Sequence, residues 1–271
     1  MSPSGPHSLA SLDGEITLAS EALIPATDEG FVRGDGAFEV VRVYDGVAFA
    51  MDEHLARMAR TGANLRLEVD LEAVRADAHR LLARAFADPD HADDHRLLRM
   101  IVTRGGRRVL ITERLLDSPE RIRLLSTTYA PTRILDGVKS LSYAANMLAT
   151  RLAREAGFDD AVLVTPHGRV LEAPTRAIFW VTDGELCTTP LSEHILASIT
   201  RAIVIDVCDV RERSITLEQL YEADEVFLAS TTREVHPVAA VDDHEYAAPS
   251  PVTERTAERV MARVRERLAG A

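Results

Sequence analysis

The nine residues Gly36 to Tyr44 (GAFEVVRVY) constrain the fold more than any other stretch of the chain. They are rich in β-branched and aromatic side chains and end at Asp45-Gly46, a strong short-range hairpin signal. The chain must therefore turn back through Val47 to Ala50, and a lone two-stranded ribbon needs a cover. Two segments with helical periodicity supply it. Asp52 is expected to cap a helix with His54, Leu55, Met58 and Leu65 at helical spacing. Leu71 to Phe86 forms a second amphipathic helix, and Asp88 to Asp94 a polar loop. Glu15 to Leu18, Arg96 to Thr103 (RLLRMIVT) and Arg121 to Thr127 (RIRLLST) read as further strands. Arg104-Gly-Gly-Arg-Arg108 is a glycine-bent cationic loop between the last two. The first half thus reads as strands covered by two helices.

The second half is richer in strands. Ser126 to Asp136 contains Pro131 and little periodicity, which makes it the expected linker between an N-terminal domain (1–125) and a larger C-terminal one (137–271). A helix over Ala144 to Ala156 carries Met147, Leu148, Leu152 and Ala156 on one face and stops at Gly157. Strands are predicted at Asp160 to Thr165, Arg169 to Glu172, Ile178 to Thr182, Glu185 to Thr188 and Glu225 to Ser230. Helices are predicted from Ile199, over Thr216 to Tyr221, and after Ser250-Pro251, a cap followed by a favoured first-turn proline. The class is α/β (α+β) in two domains.

Length and charge narrow the possible partners. At 271 residues the chain is long for a single compact core. A net charge of −12 disfavours nucleic acid and anionic membranes. Cys187 and Cys208 offer neither a disulfide framework nor a metal-ligand spacing, and no segment is long and apolar enough to span a bilayer. These features fit a reduced, cytoplasmic protein. Met1 to Ser11 is small and polar and is expected to fray.

Chemistry centres on Lys139. Lysine and arginine total 31, and Lys139 is the only lysine. Arginine keeps its proton near neutral pH, whereas lysine can lose it and become a nucleophile. Leu196-Ala-Ser-Ile-Thr-Arg201 leads into a helix start, where unpaired N–H groups of Ile199 and Thr200 can hold a phosphate; Ser198 can equally be a plain N-cap. Ser230-Thr231-Thr232 adds hydroxyls at a strand end, or an ordinary polar turn. Glu172 closes an apolar run, as a capping carboxylate or as the partner of a ring N–H. Arg57 lies one helical turn beyond His54.

In order along the chain, these motifs resemble the class IV aminotransferases, the fold type IV pyridoxal phosphate enzymes. Asp28-x-Gly-Phe-Val-Arg-Gly-Asp-Gly-Ala-Phe-Glu-Val-Val-Arg-Val-Tyr-Asp-Gly46 looks like the family's opening strand pair, and His54-Leu-x-Arg57 like its phosphate-arginine helix. Lys139-Ser-Leu-Ser-Tyr-x-x-Asn146 resembles the segment bearing the Schiff-base lysine, and Gly168-Arg-Val-x-Glu172 with Ile178-Phe179 the strand of the pyridine-nitrogen glutamate. Ile199-Thr-Arg201 and Ser230-Thr-Thr-x-Glu-Val-x-Pro237 resemble its phosphate and substrate loops. The resemblance implies pyridoxal 5'-phosphate carried on Lys139, with Glu172 at the pyridine nitrogen. Arg57, Ile199, Thr200 and Thr231 would hold the phosphate and Leu196 the ring face. It also implies a homodimer acting on a small amino donor and a 2-oxo acid.

Two positions depart from the family pattern: Ser198 stands where glycine is usual, and Ala177 where asparagine is common. Within the family, the opening motif and Ser-Thr-Thr-x-Glu-Val-x-Pro look closest to D-amino acid aminotransferases, with (R)-amines as further donors. Val40 stands where aminodeoxychorismate lyases usually have threonine, yet Lys-Ser-Leu-Ser-Tyr-x-x-Asn-Met and the Arg-Gly-Gly-Arg bend are reminiscent of those lyases. Branched-chain L-amino acid aminotransferases are the third option. Phe38 and Thr232 are expected to line the substrate. Its carboxylate needs fork donors, for which Arg104, Arg107 and Arg108 come first and Arg33 and Arg176 second.

Overall fold

The computed structural model describes residues 4–248 and 250–270. They divide into two compact units, Met1–Asp117 with Val138–Tyr143 and Ser118–Gly137 with Ala144–Ala271. The chain therefore leaves the first unit, returns to it for one short segment, and leaves again. This departs from the expected linker at 126–136. Ser126 to Thr128 lie inside a strand of the second unit, and Val138–Tyr143 is claimed by the first through backbone pairing beside Gly36 and Phe38.

The first unit contains strands β1 (Leu9–Leu12), β2 (Glu15–Leu18), β3 (Gly36–Tyr44), β4 (Val47–Ala48), β5 (Leu97–Thr103) and β6 (Arg108–Glu113), with helices α1 (Glu29–Arg33), α2 (Met51–Leu65) and α3 (Leu71–Ala85). The sheet is antiparallel in the order β2-β1-β6-β5-β3-β4. Alternation along β3 sends Ala37, Val41 and Val43 to the core face. There, with Leu98, Met100, Val102 and Leu110, they meet Met51, Leu55 and Met58 of α2 and Val74, Ala78, Leu81 and Leu82 of α3. Burying each of the larger aliphatic side chains contributes roughly 1.5–3 kcal/mol, which accounts for two helices with polar outer faces.

Several expectations shift here. Leu9 to Ser11, expected to fray, belong to β1, and Ser8 and Ser11 are buried; residues 1–3 lie outside the described residues. Asp52 sits inside the first turn of α2 rather than capping it; the cap position is Ala50, at φ 55°. The loop at Asp88 to Asp94 is a 3₁₀ helix over Pro89–His95.

The second unit contains β7 (Ile122–Thr128), β8 (Asp160–Val164), β9 (Ala177–Thr182), β10 (Glu185–Thr188), β11 (Arg211–Glu212), β12 (Glu225–Ser230), β13 (Glu234–Val241) and β14 (His244–Glu245). Its helices are α4 (Ala144–Glu155), α5 (Ile199–Val207), α6 (Leu217–Tyr221) and α7 (Pro251–Ala269). The sheet runs β11-β10-β9-β12-β13-β7-β8, with β14 beside β13. β7 is parallel to both β13 and β8, and β10 to β11; the remaining pairs are antiparallel. One core gathers Ile122, Leu124, Val162, Trp180, Val226, Leu228 and Val238; a second under α4 gathers Ala149, Ala153, Leu163 and Leu171. Phe179 and Phe227 stack at 4.9 Å across the paired strands β9 and β12. Arg169 to Glu172, expected as a strand, is held instead by the isolated bridges Val164↔Val170 and Arg169↔Thr216 and by backbone bonds between Leu163 of β8 and Leu171 and Glu172. Cys187 and Cys208 are free thiols, the first buried and the second half-buried. Among the described residues no helix is long and apolar enough to cross a membrane.

Candidate active site

In the first unit the candidate residues gather on β3 and α2. Glu39 points to the core face of β3, opposite in direction to its neighbours Phe38 and Val40. On α2, His54 and Arg57 are one turn apart and face it. Arg57 donates Nε to Glu39 Oε1 at 2.7 Å and Nη2 to Oε2 at 2.6 Å, while His54 Nδ1 lies 2.8 Å from Oε2. None of the three residues is more than 5% exposed. Burial alone would raise the Glu39 pKa, but the Arg57 fork and His54 outweigh it and hold the carboxyl at about 2. His54 is pushed down, chiefly by burial, with Arg57 and Lys139 adding to the effect against the pull of Glu39. The triad is thus a carboxylate, a guanidinium and a neutral imidazole.

One turn further along α2, Thr61 Oγ1 accepts the backbone N–H of Lys139 at 3.2 Å. The Lys139 carbonyl accepts from Phe38 N–H at 3.1 Å, and Leu141 N–H donates to Gly36 at 2.9 Å. Gly36 permits this approach: a Cβ there would lie 2.6 Å from the Val102 carbonyl and 2.7 Å from the Leu141 side chain. The lysine backbone is therefore locked to β3. Its ammonium nitrogen lies 4.3 Å from the Phe38 ring centroid and 5.4 Å from that of Tyr143, and the two rings meet edge to face at 5.2 Å. Arg99 of β5 approaches the Phe38 ring at 5.8 Å and is held by Glu113 through bonds of 2.7 and 3.0 Å.

Every arginine of the Arg-Gly-Gly-Arg bend is engaged. The bend is the β5–β6 turn, seated on Asp28, whose Oδ2 would lie 2.2 Å from a Cβ at Gly105. Arg104 pairs with Asp35 at 2.6 Å and donates to the carbonyls of Leu65 and Arg66, closing the C-terminus of α2. Arg107 pairs with Asp13 at 2.7 Å, and Arg108 with Asp77 at 2.9 Å. Arg33 pairs with Glu29 at 3.2 Å on the exposed helix α1. These contacts give the four arginines structural work at positions where the sequence suggests a substrate anchor.

In the second unit Glu172 leaves the edge of β8, and its Oε1 accepts the Leu196 N–H at 3.3 Å. The turn that follows it, Ala173 to Arg176, is tied back by Asn146 of α4, which donates to the Pro174 carbonyl at 2.8 Å. Burial and then the nearby Glu172 charge push the Tyr129 hydroxyl pKa up. Ser198 caps α5, its hydroxyl accepting from Arg201 N–H at 3.2 Å. Ile199 and Thr200 therefore fall in the first helical turn, where backbone N–H groups lack helical partners. At the end of β12 the Ser230 and Thr232 hydroxyls meet at 3.2 Å, with Thr231 between them. Arg176 turns away from any exposed role: it pairs with Asp160 at 2.5 Å and bonds His236 at 3.1 Å.

The donor chemistry fits pyridoxal 5'-phosphate. A primary amine suits its aldehyde, a half-buried carboxylate its pyridine nitrogen, and a helix start with threonine hydroxyls its phosphate. Sequence reasoning missed Glu39, Thr61, Tyr143 and Arg99. For Glu39 a signal was present, an acid within an otherwise apolar strand face; Arg99 lay in a strand read only for its apolar residues.

Fold and donor set together define a fold type IV, pyridoxal phosphate-dependent enzyme. The chain belongs to the amino-transferase class IV family, whose model matches residues 36–241. Such enzymes move an amino group from a donor to a 2-oxo acid. The chain is 31% identical to a Methanocaldococcus jannaschii protein named provisionally as a branched-chain-amino-acid aminotransferase, over 85% of this chain and 87% of that one. It is 30% identical to a D-alanine aminotransferase of Bacillus licheniformis, over 89% and 92%. The solved structure of 4-amino-4-deoxychorismate lyase from Pseudomonas aeruginosa superposes with a TM-score of 0.81 at 25% identity, over 94% and 98% of the chains.

Proposed function

We propose that the protein transfers the amino group of a D-amino acid, and also of (R)-amines, to a 2-oxo acid in a ping-pong cycle, as a homodimer. The observation that carries this reading is the setting of Lys139, its backbone fixed to β3 and its amine over Phe38 and Tyr143. Bound pyridoxal phosphate supplies an electron sink for a carbanion at the donor Cα. The chain does the rest. Lys139 would hold the cofactor and carry the proton to and from the donor Cα. Glu172 would hold the pyridine nitrogen and favour its protonated form. The Ile199 and Thr200 N–H groups, with the Thr200 and Thr231 hydroxyls, would hold the phosphate, and Leu196 would pack on the ring. Arg57, its orientation set by Glu39, would add charge for the phosphate.

Phe38 and Thr232 line the donor. Arg99 is the better carboxylate anchor than the bend arginines because it shares the Phe38 ring with Lys139; Glu113 takes its Nε and Nη2 and fixes the side chain, so Nη1 is the donor it would offer. The D-preference draws on the opening β3 motif, the Ser230 to Pro237 segment and the similarity to the Bacillus licheniformis enzyme. The similarity to the Pseudomonas aeruginosa lyase and the Lys139-Ser-Leu-Ser-Tyr143 segment favour pyruvate elimination as a second reading. The similarity to the Methanocaldococcus jannaschii protein favours branched-chain L-amino acids as a third. Purified protein supplied with each donor and 2-oxoglutarate decides among them. Turnover of D-alanine or D-glutamate supports the proposal; turnover confined to L-leucine and L-valine, or pyruvate released from aminodeoxychorismate alone, rejects it.

A further inference from the structure

We infer a divalent-cation site in the first unit, formed by His7, His91 and Asp94, that takes zinc and ties the segment ahead of β1 to the 3₁₀ helix. One nitrogen of each histidine and one oxygen of Asp94 all lie within 4.8 Å of one another. Two imidazoles and a carboxylate are the donor types that borderline divalent ions such as zinc prefer.

Both halves of the site are held by the local backbone. His91 and Asp94 are three residues apart on the 3₁₀ helix, whose repeat of about 3.0 residues per turn stacks them on one face. Asp88 caps that helix and its carboxylate lies 3.9 Å from His91 Nε2. His7 sits in a turn closed in both directions, by Ser8 N–H to the Gly5 carbonyl at 3.2 Å and Gly5 N–H to the Ser8 hydroxyl at 2.9 Å. Leu9 N–H then donates to Thr112 Oγ1 at 2.8 Å, anchoring the turn to β6. Gly5 lets the segment lie close: a Cβ there would come within 2.9 Å of Asp94 Oδ1. The His7 and His91 rings stack at 3.6 Å with 12° between their planes.

Zinc bonds of about 2.0–2.1 Å set tetrahedral donor atoms about 3.3 Å apart. The widest gap must therefore close by roughly 1.5 Å, and because imidazole lone pairs lie in the ring plane the His7 ring must also turn out of its stack on His91; rotation of the exposed His7 side chain supplies both. Asp94 also pairs with Arg114 at 3.2 Å, but a carboxylate accepts at both oxygens, so the two interactions are compatible. Asp88, Asp90 and Asp93 on the same segment add to a field that attracts cations.

The test uses the cofactor-loaded protein without a polyhistidine tag, freed of metal with a chelator and titrated with zinc chloride in a calorimeter. One zinc per chain is expected with a dissociation constant of about 10 μM or tighter, together with a rise in thermal midpoint. His7→Ala and His91→Ala are each expected to weaken binding at least about tenfold, without lowering the zinc-free midpoint, while His167→Ala binds as the parent does. Absence of saturable binding below about 1 mM, or binding that survives in the His7→Ala/His91→Ala double variant, overturns the inference. The readout is independent of amino-group transfer.

Discussion

The substitution Glu39→Gln tests the buried triad most sharply, since it removes one charge and keeps the shape. In the parent the Glu39 carboxyl sits at about 2 against an ordinary 4.5, so the fold favours its ionised form by roughly 3 kcal/mol. The same magnitude follows from the other side. Arg57, 5% exposed, would lose a bidentate partner at 2.6 and 2.7 Å, and stranding one half of a buried ion pair typically costs about 3–5 kcal/mol. Glu39→Gln should therefore destabilise the first unit by about 3 kcal/mol or more. Native-state hydrogen exchange of the α2 amides reads this directly, because His54, Arg57 and Thr61 all sit on that helix. The double variant Glu39→Leu/Arg57→Met, which removes both charges, should recover most of the loss while weakening phosphate binding. A loss below about 1 kcal/mol in Glu39→Gln, or no recovery in the double variant, would refute the argument that desolvated charge governs this site.

Other consequences are separable by assay. His54 is held below its ordinary pKa inside the fold, so the stability it contributes is present above 6.5 and declines as pH falls below that value, where the unfolded chain binds the extra proton; the decline, to which His95 and His236 also contribute, should be shallower in His54→Gln than in the parent, as followed by urea midpoints between pH 7 and 5. Arg176→Met should lower stability by about 2–4 kcal/mol through the Asp160 pair, yet change the donor KM less than about threefold. Arg99→Met should raise donor KM tenfold or more, with a loss of stability as well, because it leaves the Glu113 side chain, 5% exposed, without its bidentate partner. Asn146→Ala should loosen the turn after Glu172 and weaken cofactor retention, measured by dialysis against buffer.

Much of this was legible in the residues because local rules suffice for it. The β3 run with its Asp-Gly turn, the periodicity of α3, and the motif order that marks the family all lie within short windows; α4 forms where expected, but Ala149 and Ala153 face its core while Leu148 and Leu152, read as its apolar face, are exposed. What escaped depends on long-range pairing. β6 follows directly on a cationic bend and carries charged residues at both ends, and its short apolar interior carried no strand assignment. Whether Arg57 stands alone or is clamped is decided by Glu39, 18 positions away and on another element. The bend arginines illustrate the same point, because Asp13, Asp35 and Asp77 that engage them are scattered through the sequence. The domain boundary was misjudged because Val138–Tyr143, though C-terminal to the expected linker, bonds to β3.

The account depends above all on Lys139, and the composition offers an unusually clean measurement, since no other lysine exists in the chain. Protein incubated with pyridoxal 5'-phosphate is reduced with borohydride, denatured, digested and weighed by mass spectrometry. One cofactor per chain, permanently attached to the peptide that contains Lys139 and absent in Lys139→Ala, is the predicted result. A parent protein that releases all its cofactor on denaturation, or a label found only at the N-terminal amine, would contradict it.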